Sequence, residues 1–175
     1  ADMAGRYRAN VVTIEKPWGE AFSLAELENA VATHRPKILA IVHAETSTGI
    51  CQPMEGIGDL CRKHDCLLLL DTVTSLGAVP IYLDEWKVDL AYSCSQKGLS
   101  CPPGLGPFSM GPRAEAKMMA RAGKVPNWYL DVTLLNQYWG SDRVYHHTAP
   151  VNMNFGMREA LRLLAEEGLE AAWAR

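Results

Sequence analysis

The spacing of apolar positions divides the chain into stretches with two different periods, and each period predicts its own type of element. Short apolar or alternating runs predict strands at 8–14, 37–44, 66–71 and 88–95. The run LLLLD within 66–71 is continuously apolar, which is typical of a middle strand in a parallel sheet covered on both faces. The run at 37–44 is also apolar enough that we expect it to be buried.

Stretches whose apolar residues have a helical spacing lie between these strands. Ser23 predicts an N-cap, and Glu26, three residues later, completes a capping box for a helix that runs through His34. Pro36 ends that helix, and Pro53 is expected to open the next one. Strands that alternate with helices in this order predict an α/β fold with a parallel sheet and right-handed crossovers.

The second half of the chain is richer in helical patterns. A rigid turn at 102–104 leads into a short strand at 107–110, which is expected to be an edge or antiparallel strand. Helices are predicted at 112–122 and 128–139, and a long amphipathic helix from about 152 to the end. The apolar residues expected on its buried face are Met157, Leu161, Leu164 and Leu169.

Composition places the chain among ordinary globular proteins and excludes several classes of partner. It has 175 residues, of which 48% are hydrophobic and 21% are charged, so one domain with a real core is expected. The net charge is −3 and no basic block is present, which gives no electrostatic support for binding nucleic acid or an anionic membrane. No apolar run approaches the roughly 18 residues of a transmembrane helix.

Five cysteines, an odd number without a CxxC pair, disfavour a disulfide framework and a zinc ribbon. They indicate reduced thiols in an intracellular protein. The chain starts at ADMAGRY and ends within a helical pattern at EAAWAR, so we expect both ends to lie inside a larger domain.

One lysine and one aspartate stand out as candidates for chemistry. Asp71 follows the buried run LLLL, and Lys97 follows the next strand between small and polar neighbours. The carboxyl ends of parallel strands meet at one edge of a sheet, so both side chains are expected there. A lysine that forms a Schiff base and an aspartate that holds a protonated pyridine nitrogen are the pair that pyridoxal phosphate requires. The alternatives are a solvated surface lysine and a loop or N-cap carboxylate.

Other residue patterns offer weaker chemistry. His146 and His147 are adjacent, and neighbouring positions rarely direct both rings at one metal ion, so no metal site is predicted. His43 is expected to be a buried, hydrogen-bonded strand residue rather than a catalyst. The sequence contains no GxSxG elbow, GxGxxG loop or Walker loop, which leaves hydrolase, nicotinamide and ATP functions without local support.

Four segments together resemble a known family. HAETSTGICQP, LLLLDTVTSLGAVP, VDLAYSCSQKGLSCPPGLGPFSM and YHHTAPV, in this order and spacing, resemble the alanine-glyoxylate and serine-glyoxylate aminotransferases of class V. The resemblance covers essentially all 175 residues. It implies a three-layer α/β/α fold of type I with a mostly parallel sheet. Residues 1–175 would form the central part of the large, cofactor-binding domain, as a single domain.

The resemblance implies a role for several residues around the cofactor pyridoxal 5′-phosphate. Lys97 would form the Schiff base, Asp71 would bind the pyridine nitrogen, and Val73 would pack on the ring face. Thr46, which stands where a serine is common, would contact the side of the phenolic oxygen. Gln96 would contact the phosphate.

The segment YHHT implies a second subunit. In the family this segment reaches across a dimer interface, so Tyr145 and Thr148 would bind the neighbouring subunit's phosphate. A homodimer with shared active sites is therefore expected. The N-terminal arm, the phosphate-cradling loop and the C-terminal small domain of the family, which supplies the arginine for the substrate carboxylate, are not found in these residues.

The implied reaction is a ping-pong transfer of an amino group from alanine or serine to glyoxylate or pyruvate. Other class V activities remain open, namely a phosphonate aminotransferase or a cysteine desulfurase, although neither Cys94 nor Cys101 is singled out as reactive. A truncated chain without activity of its own is a further alternative. Relatives occur in several compartments: peroxisomal or mitochondrial in eukaryotes, cytoplasmic in bacteria.

Overall fold

A four-stranded sheet organises the computed structural model, which describes residues 1–175. Its order is β1-β2-β3-β4, and the first three strands run parallel while the last is an antiparallel edge strand, as predicted. The strands are β1 (Ile38–Val42), β2 (Leu67–Asp71), β3 (Leu90–Tyr92) and β4 (Phe108–Met110). The helices are α1 (Asp2–Arg6), α2 (Leu24–His34), α3 (Ile57–Lys63), α4 (Pro112–Met119), α5 (Val132–Trp139), α6 (Val151–Glu167) and α7 (Leu169–Trp173).

The capping box before α2 forms as the sequence predicts. The Ser23 side chain accepts a hydrogen bond from the backbone N–H of Glu26, and the Glu26 carboxylate accepts one from the Ser23 N–H. Two of the unpaired N–H groups at the helix start are thereby satisfied. The helix ends at Arg35, which adopts a left-handed conformation just before Pro36.

The core lies between one face of the sheet and the helices α2 and α3. Leu68 and Leu70 of β2 point into it and have no exposed surface. Burying an apolar side chain of this size contributes about 1.5–3 kcal/mol, so this layer supplies much of the stability. The helical side chains packed there are Leu27, Val31, Ile57, Leu60 and Cys61.

The opposite face of the sheet is open within these 175 residues. Burial alternates along β1, so Ile38 and Val42 are exposed, and the prediction that 37–44 is buried is wrong for this face. Phe108 of β4 has half of its surface exposed on the same face. The reason is that side chains of a strand point alternately to the two faces, and only one face is covered by helices here.

The stretch 8–14, predicted as a strand, forms none. No backbone hydrogen bond joins residues 10–16 to any other segment, and Val11 and Val12 are exposed. A β-strand needs a neighbouring strand for its N–H and C=O groups, and its alternating pattern alone cannot supply one.

Several predicted boundaries are displaced. The helix expected from Pro53 begins at Ile57, because Gly56 adopts a left-handed φ of 80° as its N-cap. The strand expected at 88–95 is reduced to Leu90–Tyr92, and the helices expected at 112–122 and 128–139 reduce to α4 and α5. The long terminal helix divides at Gly168, whose φ of 87° ends α6 and starts α7.

A buried ion pair fixes the strands that carry the candidate site. Asp89, which is 3% exposed, accepts a hydrogen bond from the Leu68 N–H at 2.9 Å and two from Arg113 at 3.0 and 3.1 Å. Arg113 also donates to the Cys66 carbonyl at 3.2 Å. These bonds tie α4 to β2 and β3. None of the seven helices is both long and apolar enough to cross a membrane.

Candidate active site

The loops that follow the three parallel strands meet at one edge of the sheet. The N–H of His43 donates to the Asp71 carbonyl at 2.9 Å, so the end of β1 continues its pairing with β2. The N–H of Thr72 donates to the Tyr92 carbonyl at 2.9 Å, which extends the pairing of β2 with β3. Ligands in open α/β sheets bind at this carboxyl edge.

Asp71 is the last residue of β2, and its carboxylate is held by two donors. The Val73 N–H donates to Oδ1 at 2.8 Å, and the Tyr92 hydroxyl donates to Oδ2. A carboxylate has about four acceptor positions on its two oxygens, so capacity remains for another donor. The structure thus orients Asp71 but does not neutralise it with a cation.

Tyr92 lies beside Asp71 on the neighbouring strand because the parallel register pairs these two residues. Burial, followed by the hydrogen bond and negative charge of Asp71, raises the pKa of Tyr92 to about 12. The phenol therefore remains a protonated donor at physiological pH. The sequence indicated Tyr92 only as a strand residue; its contact depends on the register between two strands.

The loop after β1 reaches the loop after β2 through two threonines. The hydroxyl of Thr46, an expected site residue, hydrogen bonds to the hydroxyl of Thr74, which sequence reasoning did not identify. Thr74 directly follows Val73, which is half-buried. Thr46, Val73 and Asp71 are thus gathered in one place, as expected.

Glu45 gives this loop its negative charge. Its carboxylate accepts hydrogen bonds from the backbone N–H and hydroxyl of Ser47 at 2.9 and 2.8 Å. These bonds hold the pKa of Glu45 below its usual value, and the positive charge of Lys97 adds to the effect. The loop after β1 therefore faces the loop that carries the lysine.

Lys97 and Gln96 are exposed, and no hydrogen bond or ion pair occupies either side chain. Their position is set by the next residue, Gly98, because a Cβ there would lie 2.4 Å from the Leu76 carbonyl oxygen. The loop after β2 and the loop after β3 approach each other so closely at this point that only glycine fits. Lys97 is thereby placed at the same edge as Asp71.

Hydroxyl groups brace the segment between β3 and Lys97. The Ser93 hydroxyl donates to the Thr72 carbonyl at 2.9 Å, and the buried Ser95 hydroxyl donates to the Pro102 carbonyl at 2.6 Å. Ser95 also accepts a hydrogen bond from the Leu105 N–H at 3.3 Å. Buried hydroxyls that satisfy backbone groups hold a loop in one conformation.

Tyr145 and Thr148 contact each other through their hydroxyls. Their hydroxyls are 3.1 Å from each other, both residues are exposed, and no hydrogen bond connects them to the residues above. Between them, His146 stacks on Trp128 with ring centroids 4.1 Å apart, and its Nδ1 lies 2.8 Å from Nδ1 of His147. Five of the seven expected residues thus lie at the carboxyl ends of the parallel strands or in the loops that follow them, and the remaining pair shares no hydrogen bond with those five.

His43 takes the buried position expected for it. It is 3% exposed, its ring lies edge-on to Trp86 at 5.1 Å, and Nε2 is 3.4 Å from the Cys51 sulfur. Burial lowers the pKa of His43, so the ring is neutral at physiological pH.

Comparison with known proteins places the whole chain in one family. The sequence profile described as Aminotransferase class-V matches residues 1–175. An alanine–glyoxylate aminotransferase of Mus musculus is 45% identical over 178 residues, which is 100% of this chain and 43% of the mouse protein. An (S)-ureidoglycine–glyoxylate transaminase of Bacillus subtilis (strain 168) is 36% identical over 192 residues, which is 99% of this chain and 46% of that protein.

Solved structures agree with the sequence comparison. The crystal structure of an alanine–glyoxylate aminotransferase from Nostoc sp. superimposes with a TM-score of 0.96 at 66% identity, over 99% of this chain and 46% of the Nostoc chain. The expected fold class, α/β of fold type I with a mostly parallel sheet, is confirmed. The chain spans less than half the length of the curated relatives it matches. By sequence and by structure, the chain belongs to the class V aminotransferase family.

Proposed function

We propose that this chain carries the central, cofactor-binding part of an aminotransferase, with residues 1–175 in a single domain. The reaction is the transfer of an amino group from alanine or serine to glyoxylate or pyruvate, with pyridoxal phosphate as cofactor. The observation that carries the proposal is the placement of an oriented carboxylate, Asp71, and an unpaired amine, Lys97, at one edge of the sheet.

The side chains at this edge fit two parts of pyridoxal phosphate. Lys97 is an amine without an ion-pair partner. An amine that reacts with an aldehyde must be free in this way. The Asp71 carboxylate accepts two hydrogen bonds and can accept more. It can therefore accept a hydrogen bond from a protonated ring nitrogen. When bound, the cofactor supplies a ring that accepts the electron pair released at the substrate Cα.

Each residue of the site would then have its own role. Lys97 would hold the cofactor through Nζ, and the same amine would move the proton at the substrate Cα. The Asp71 carboxylate would keep the proton on the ring nitrogen, while Val73 would pack on the ring face. Thr46 would donate its hydroxyl hydrogen toward the phenolic oxygen, and its hydrogen bond to Thr74 would hold it in place.

The phosphate is the part that this chain does not bind alone. Gln96, whose amide has no partner within the chain, contributes one contact. Tyr145 and Thr148 are exposed and share no hydrogen bond with the residues around Asp71, which supports a role at the neighbouring subunit's phosphate in a homodimer.

The substrate assignment rests on the relatives. The names of the mouse, Nostoc and Bacillus proteins all contain glyoxylate. No observation favours a desulfurase, since Cys101 is buried and the thiol of Cys94 lies 3.9 Å from the Val73 carbonyl oxygen. The five unpaired cysteines support an intracellular location.

Borohydride trapping tests the proposal. The protein is incubated with pyridoxal phosphate, reduced and digested, and the modified peptide is located by mass spectrometry. We expect the label on Lys97, no label in Lys97→Ala, and normal labelling in Lys124→Ala, which changes an exposed lysine between α4 and α5. Undiminished labelling in Lys97→Ala would contradict the assignment.

A further inference from the structure

The hydroxyl of Tyr92 contacts the one carboxylate on which the proposed chemistry depends. In the parallel register, Tyr92 of β3 lies directly beside Asp71 of β2, with both side chains on the same face of the sheet. The hydroxyl donates to Oδ2, while the Val73 N–H donates to Oδ1. Each carboxylate oxygen is therefore held by its own donor, which leaves the carboxyl plane little freedom to rotate.

The backbone of Tyr92 is anchored as firmly as its side chain. Its carbonyl accepts hydrogen bonds from both the N–H and the hydroxyl of Thr72, at 2.9 and 2.8 Å. The Ser93 hydroxyl returns a bond to the Thr72 carbonyl at 2.9 Å. The phenol thus projects from a fixed point, and the hydroxyl reaches Asp71 without depending on a flexible loop.

We propose that Tyr92 is a positioning residue for transamination: its hydroxyl holds the Asp71 carboxylate in the orientation that receives the ring nitrogen of the cofactor. This inference rests on the proposed function, because it needs a ring nitrogen for Asp71 to bind. Tyr92 takes no part in proton transfer at the substrate and acts only through Asp71.

Two observations favour positioning over a contribution to stability. The ring of Tyr92 is not part of the hydrophobic core, and 39% of its surface is exposed. The phenol also remains protonated at physiological pH, because burial and the Asp71 carboxylate raise the pKa of Tyr92 to about 12. A phenol that stays protonated is a permanent donor, and it orients the carboxylate that accepts its hydrogen bond.

The test uses Tyr92→Phe in the holoenzyme, with Tyr82→Phe as the matched control. Tyr82 is similarly exposed, and its hydroxyl makes no hydrogen bond. We expect Tyr92→Phe to lower kcat roughly tenfold with little change in KM for the amino donor, as expected for a lost hydrogen bond to a charged group. The dissociation constant of pyridoxal phosphate rises, and the control matches wild type in both measurements.

A spectroscopic measurement separates positioning from general damage. With cofactor labelled by ¹⁵N in the ring, we expect the nitrogen resonance of Tyr92→Phe to move from its wild-type position toward that of an unprotonated pyridine. The far-ultraviolet circular dichroism spectrum stays that of wild type. A wild-type resonance and wild-type kcat in Tyr92→Phe, with Lys97 still labelled, overturn the inference and leave the proposed function intact. If wild-type protein fails to trap the cofactor on Lys97, both fail.

A second variant tests the contact without any cofactor. In Asp71→Asn the negative charge beside the phenol is removed, so we expect the pKa of Tyr92 to be lower than in the wild-type protein. Ultraviolet titration of the phenols, with Tyr92→Phe to identify the signal, measures it. An unchanged pKa would show that the hydroxyl does not contact Asp71 and would overturn the inference.

Discussion

Gly98 and Leu76 bring the loop after β3 and the loop after β2 together at a distance that excludes any side chain at position 98. A Cβ on Gly98 would lie 2.4 Å from the Leu76 carbonyl oxygen and 2.9 Å from the Ala78 Cβ. Both neighbours belong to the loop after β2, which begins immediately after Asp71. The loop that carries Lys97 therefore approaches the loop that follows Asp71 through backbone packing at one glycine.

Gly98→Ala is expected to lower the free energy of unfolding by roughly 1–3 kcal/mol, since the added methyl group forces two loops apart. The yield of pyridoxal phosphate trapped on Lys97 should also fall in Gly98→Ala, because Lys97 moves away from Asp71. Urea denaturation measures the stability. Gly5→Ala is the control, since a Cβ at Gly5 meets nothing within 4 Å; equal stability in both variants would contradict the close approach.

Asp71→Asn tests the role of the carboxylate. Asparagine has the same shape but carries no negative charge, so it cannot hold the proton on a pyridine nitrogen. We expect Lys97 to be labelled as in wild type, while kcat falls roughly a hundredfold, the upper range for an interaction with a charged group. Wild-type turnover would mean that the partner of the ring nitrogen is another residue.

Thr74→Val removes the hydroxyl that contacts Thr46 and keeps the shape of the side chain. We expect the dissociation constant of pyridoxal phosphate to rise by roughly two- to tenfold, which is the usual net value of one neutral hydrogen bond. Absorption titration measures it, and Thr13→Val, which changes an exposed residue outside any helix or strand, is the control. An unchanged dissociation constant in Thr74→Val would show that the hydrogen bond between Thr46 and Thr74 does not contribute to cofactor binding.

Tyr145→Phe tests the contribution of the second subunit. The hydroxyl lies 3.1 Å from that of Thr148 and makes no hydrogen bond to the residues around Asp71. In protein verified as a dimer by sedimentation, we expect weaker binding of pyridoxal phosphate, because one donor to the neighbouring phosphate is lost. Tyr138→Phe changes a phenol without a hydrogen bond in the same aromatic cluster and serves as control. Equal affinity in both variants would refute the cross-subunit contact.

Local patterns in the sequence were sufficient for features whose partners lie within a few residues. The capping box of Ser23 and Glu26 and the parallel strand ending at Asp71 could be predicted, because each depends on neighbouring positions. The pairing of Lys97 with Asp71 stays a prediction, based on the strands of a parallel sheet presenting their carboxyl ends at one edge. The motifs also indicated the class V aminotransferase family, which the comparisons confirm.

The tertiary structure alone decided which residues meet across elements. Residues 8–14 have a strand pattern but no neighbour to pair with, and β1 is exposed on the face that no helix covers. Tyr92 reaches Asp71 through the register of two strands, and Gly98 approaches Leu76 across two loops. The physical reason is that strand register and close backbone contact depend on pairing and packing between distant segments, which the spacing of residues within one segment does not encode.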